Sequence, residues 1–182
     1  MSVSPFFIKK GDTIMKQKQT QTLDQKYNSS RMNLLLMVIL TVVNIVLFFT
    51  GAETMMLFSA TIPYYAVAFG YYFPPSGLAT GLFVLAGILV LAYFLCWLLS
   101  KKNYVWMIVA LVLFVVDTVA LAALYIWTKD FSGIMDALIH IWVLYYLIVG
   151  VSSGAKMRNL PEEVEEAPAE EPARVDPEHW AD

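Results

Sequence analysis

The sequence predicts an all-α fold: a polytopic membrane helical bundle of four transmembrane helices. An outer-side re-entrant or interfacial helical segment and a disordered acidic C-terminal tail complete it. Three observations carry this prediction. The chain of 182 residues is 59% hydrophobic and only 15% charged, with a mean hydropathy of +0.63, too apolar for an ordinary soluble domain. Its apolar residues gather into four runs, at 32–49, 78–99, 104–127 and 134–151, that are almost free of charge. Each is long enough to cross a hydrocarbon core of about 30 Å as a helix. Finally, the runs lack the polar face that helical periodicity gives a soluble surface helix.

The first run follows a polar segment, so residues 1–31 are expected to form a cytoplasmic N-terminal segment. No secretory signal precedes it, and Gly51-Ala52-Glu53 is not a cleavage region. The codons of Lys9-Lys10-Gly11-Asp12 can spell a ribosome-binding site ahead of Met15, which makes Met15 a candidate bacterial initiator.

Between the first and second runs, residues 55–73 are apolar enough to span. A fifth crossing there would invert the last two helices and place Lys101, Lys102, Lys156 and Arg158 outside. Pro63 and Pro74-Pro75 also argue against it, and Tyr64, Tyr65, Tyr71 and Tyr72 suit a headgroup region. The segment therefore reads as re-entrant or interfacial, and its tyrosines as a lid.

The second run opens with Gly77 and Gly81, spaced for close helix packing within the bundle or across a dimer. It holds Cys96, the single cysteine, expected to be a small buried hydrophobe. Trp142 of the fourth run is deep enough to line the bundle. Gly150 and Gly154 read as the end of that helix.

Lys16, Lys18, Lys26 and Arg31 precede the first run, Lys101 and Lys102 join the second to the third, and Lys156 and Arg158 follow the fourth. The positive-inside rule then places both termini in the cytoplasm of a cell membrane. The transmembrane domain is expected over 32–154 and the tail over 155–182. Residues 161–182 hold nine acidic residues against Arg174, the composition of a solvated, disordered strip. Topology accounts for the basic residues, so nucleic acid is not an expected partner. Membrane lipid is, together with a second copy of the chain or a larger membrane subunit, because four helices are few for a transporter.

Ionisable groups inside membrane helices are functional candidates by default. At about 1.5 Å per residue, Asp117 falls roughly 15 Å below the outer end of its helix. His140 and Asn44 fall about 9 Å below the ends of theirs, with Thr41 a turn deeper on Asn44's side. Asp136 and Glu53 belong near the mouth. Asn44, Asp117, His140, Asp136 and Glu53 are thus expected to form an outward-facing polar pocket. It suits a cation, a proton or a small solute, in a transport-associated subunit. Two other readings stay open. Asp117, Asp136 and His140 offer oxygen and nitrogen ligands for a metal-dependent intramembrane hydrolase. Alternatively, the polar groups only clamp helices together.

Overall fold

The computed structural model describes residues 5–52, 58–74, 77–129 and 134–160, with side chains from residue 15 onward. Five helices follow one another: α1 (Pro5–Phe49), α2 (Thr61–Tyr72), α3 (Gly77–Leu99), α4 (Val105–Thr128) and α5 (Ile134–Arg158). Four of them, all but α2, are long and apolar enough to cross a membrane. No strand occurs among the described residues. Glu53 and the acidic strip 161–182 lie outside the described residues.

Burial separates a membrane bundle from a soluble one. Within the most apolar window of each spanning helix, only 17–28% of residues are buried inside the protein. Val119, Ile126, Ile141 and Ile148 point outward instead. Such a surface is untenable in water and natural against lipid. What the bundle buries is narrower: Leu34 and Met37 of α1, Met107 and Phe114 of α4, Val143 and Leu147 of α5.

Helix α1 packs along α5, α5 along α4, and α3 against both α1 and α4. Gly150 and Gly154 make the α5 contacts possible. A Cβ on Gly150 would stand 2.7 Å from Ser30 Cβ, and one on Gly154 would stand 2.6 Å from Tyr104 Cβ. These glycines do not end the helix, as their spacing had suggested; α5 continues through them to Arg158. Their role is close approach. Gly77 and Gly81 are the converse case: an added Cβ at either meets nothing within 4 Å, so neither packs against a described part of this chain.

Helix termini follow local chemistry. Lys129 adopts a left-handed conformation (φ 54°) and its N–H bonds Tyr125 O, closing α4. Asp136 occupies the first turn of α5, and Lys156 and Arg158 the last. That matches the positive and negative ends of the helix dipole.

Helix α2 is the exception in the architecture. Its 12 residues extend about 18 Å, short of the roughly 30 Å needed to cross. Its C-terminal Tyr71 and Tyr72 are exposed, whereas Phe58, Ser59, Ala60 and Thr61 at its start are buried. Beyond α1 the described chain resumes at Phe58 inside the bundle, and α2 begins among the side chains of α1, α4 and α5. This is a re-entrant arrangement, and it excludes the fifth crossing.

Candidate functional site

A helix that begins inside a membrane protein has an acute local problem. Its first backbone N–H groups have no partner within the helix, and lipid supplies none. Around α2 each of these donors has a named acceptor. Ala60, the N-cap, donates to Thr41 Oγ1 at 2.8 Å. Thr61 donates to Asp117 Oδ2 at 2.8 Å and Ile62 to Asp117 Oδ1 at 2.7 Å. The third helical residue is Pro63, which has no N–H to satisfy. Asp117 is therefore the cap of α2, supplied by α4 rather than by the segment's own sequence. The positive end of the α2 dipole faces a carboxylate.

His140 completes the arrangement from α5. Its Nδ1 lies 2.9 Å from the backbone oxygen of Asp136. A carbonyl only accepts, so Nδ1 carries a hydrogen. The other ring nitrogen, Nε2, stands 3.2 Å from Asp117 Oδ2 and 3.1 Å from Thr61 Oγ1. Phe114 of α4 stacks on the imidazole, with centroids 5.0 Å apart and planes 15° from parallel. That contact and the Nδ1 hydrogen bond fix the ring's orientation.

The chemistry of the cluster follows from its donors. One proton fits between Asp117 Oδ2 and His140 Nε2. With it present, the imidazolium donates Nε2–H to the carboxylate. With it absent, Nε2 is an acceptor, and the Thr61 hydroxyl can turn to donate to it. The hydroxyl serves either state because it both donates and accepts.

Thr41 and Asn44 extend the network along α1. Thr41 donates to Met37 O at 2.8 Å while accepting from Ala60. Asn44 donates to Ser59 Oγ at 2.7 Å. It thus holds the approach to α2. Phe58, which redirects the chain, has φ 74°, a conformation that costs a non-glycine residue about 1–2 kcal/mol. Its ring is anchored edge-on to Trp142, with centroids 5.5 Å apart.

Several expectations meet this geometry directly. Asp117 and His140 are in direct contact, and Asn44, bonded to Ser59, meets them through the chain that starts α2. Asp136 lies at the pair's upper edge, 17% exposed, with Oδ1 3.6 Å from His140 Nδ1. The site is sealed rather than open: Asp117 and His140 are each 1% exposed. No buried side-chain nitrogen or oxygen among the described residues lacks a hydrogen-bond partner. The start of α2 lies directly over the site. Tyr64, Tyr71 and Tyr72 pack edge-on to Phe48, and Tyr65 packs on Tyr64 and Phe69. Trp142 does not line the bundle; it is 50% exposed.

The metal reading finds no ligand set. Asp117 and Asp136 address opposite nitrogens of one imidazole. Among the described residues no three His, Cys, Asp or Glu side chains converge on a point.

Ser59, Thr61, Ile62 and Phe114 belong to the site but were not singled out as site residues from the sequence. A signal for the first three existed in Ser59-Ala60-Thr61-Ile62-Pro63. Proline in a first turn, after small polar residues, marks a helix start. No protein-family model, curated protein or solved structure matches this chain.

Proposed function

We propose that this multi-pass membrane protein works through a proton-binding site, the Asp117–His140 pair, whose occupancy is coupled to the seating of re-entrant helix α2. In this reading it is a transport-associated subunit. The observation that carries it is the proton-sized slot between Asp117 Oδ2 and His140 Nε2, at the start of a helix that Asp117 itself caps. A proton is favoured over a larger cation or solute because a proton needs no cavity, whereas solute sites are concave clefts of several hundred Å³.

The coupling has a definite sign. While Asp117 is ionised, both its oxygens accept amides of α2. A proton in the slot brings Nε2–H to Oδ2, the oxygen that also accepts Thr61 N–H, so two donors compete for it and the cap weakens. Filling the slot with a proton therefore loosens α2, and emptying it reseats the helix.

A second reading has its own support. Every buried polar side-chain atom described has a partner, as a purely structural cap requires. Hydrogen–deuterium exchange of the full chain in lipid nanodiscs separates the two. After correction for the intrinsic pH dependence of amide exchange, a proton-coupled site gives faster exchange over 58–65 at low pH. The wild-type profile then differs from that of His140→Gln. A structural cap gives one pH-independent profile, and that result would sink the proton reading.

The Lys and Arg pattern supports a topology with both termini in the cytoplasm, so that α2 opens outward, and the purine-rich codons that could precede Met15 support a bacterial cell membrane. Assembly with a second copy or a larger membrane subunit fits the exposed apolar faces of the four spans.

A further inference from the structure

A second site lies at the opposite end of the bundle. There α1, the α3–α4 turn and the end of α5 enclose a cleft of about 500 Å³. Arg31, Lys101, Lys102 and Arg158 line it against the single carboxylate of Asp24. The ion pairs found among the described residues are both at His140, and no described carboxylate lies within 4.0 Å of these four cations. Arg31 spends three N–H groups, on Ser100 Oγ, Asn28 Oδ1 and Trp97 O. A guanidinium has five, so two have no acceptor among the described residues. Tyr27 braces the floor by donating to Ser100 O at 2.6 Å. The positive-inside rule explains the sign of these charges but not their concave arrangement.

The cleft does not stand alone. An apolar groove of about 460 Å³ runs between α1 and α3 higher in the membrane. On α1 it is lined by Val38, Val42 and Ile45. At 100° per residue, these three and Asp24 lie within about 40° of Arg31 around the helix. On α3 it is lined by Phe83, Gly87, Val90 and Phe94, spaced three and four residues apart on one face. Arg31 to Val38 is about 10 Å along the helix. The polar cleft and the apolar groove therefore succeed each other on one seam. Gly87 widens that seam, because a Cβ there would meet nothing within 4 Å.

We propose that the α1–α3 seam is a binding site for an anionic phospholipid. The phosphate sits among Arg31, Lys101 and Lys102, and an acyl chain lies in the groove over Gly87. Charge complementarity selects the headgroup, and the groove beyond it selects an amphiphile over a free phosphate.

Native mass spectrometry of the full chain tests this, comparing retention of phosphatidylglycerol and phosphatidylcholine with identical acyl chains. Preferential retention of phosphatidylglycerol is expected. Lys101→Gln together with Lys102→Gln, both on the exposed surface, should lower that preference by about fivefold for each cation removed. Gly87→Leu places its Cβ in open space and should reduce retention of both lipids. Soluble glycerol 3-phosphate should not displace the lipid. Equal retention of the two lipids would overturn the proposal, as would displacement by glycerol 3-phosphate or unchanged retention in Gly87→Leu. So would a disulfide-linked dimer from Gly87→Cys in a Cys96→Ser background, since a second copy would then occupy the groove.

Discussion

Replacing Asp117 with asparagine probes the centre of the bundle with almost no change in shape. Asp117 accepts two amides of α2, at 2.8 and 2.7 Å, through different oxygens. Asparagine keeps one acceptor and turns the other into an NH2 group facing an N–H. One buried amide then loses its partner, which costs about 1–3 kcal/mol. The charge opposing the α2 dipole also disappears, a further loss of up to about 2 kcal/mol in a buried setting. Together, roughly 2–4 kcal/mol of α2 docking should vanish. At 1.4 kcal/mol per decade this lowers protection of the Thr61 and Ile62 amides by about thirtyfold or more. Hydrogen exchange of peptides over 58–65, with the full chain in nanodiscs, reads this directly. Asp117→Ala, which removes both acceptors, should exceed the asparagine effect. If Asp117→Asn leaves protection within about twofold of wild type, the capping account is wrong.

Further outcomes follow from the same geometry. Thr61→Val removes the hydroxyl 3.1 Å from His140 Nε2 but no backbone cap; stability in a detergent-unfolding titration should fall by about 1 kcal/mol with both amides still protected. Gly154→Leu drives a side chain into Tyr104, 2.6 Å from where its Cβ would stand. It should destabilise by at least about 1–3 kcal/mol, whereas Gly81→Ala, in open space, should stay within about 0.5 kcal/mol of wild type; thermal melts in one detergent compare the two. In a Cys96→Ser background, a membrane-impermeant thiol reagent applied to intact cells should label Tyr72→Cys and not Lys102→Cys. The reverse pattern would invert the proposed topology.

The spans were legible because a membrane helix must be apolar on every side, and composition alone reveals that. Their order, and the meeting of Asp117 with His140, followed from counting residues along antiparallel neighbours. Depth was not enough for Trp142, since the face of the helix also matters: two residues on from His140, it points about 200° away. The re-entrant start was harder. Residues 55–73 are apolar in side chains apart from Ser59, Thr61 and the tyrosine hydroxyls, while the polar groups that decide their path are backbone amides, which no sequence displays. Their acceptors, Thr41 and Asp117, lie on other helices, so the pairing is tertiary. The seal over the site was hidden for the same reason: Asp117, a side chain expected to await a ligand, accepts two amides at the start of α2. Gly154 was misread as a helix end because close approach and termination leave the same residue in the sequence.

The central claim is that His140 Nδ1 is permanently protonated against Asp136 O while Nε2 exchanges one proton with Asp117. Nitrogen NMR of the 15N-histidine-labelled full chain in lipid tests it most directly, with His179→Gln removing the other histidine. The account predicts that Nδ1 keeps its proton at every pH at which the protein stays folded. Nε2 should switch between protonated and bare forms, and the switch should move in Asp117→Asn. An Nδ1 that loses its proton, or an Nε2 that never switches, would contradict it.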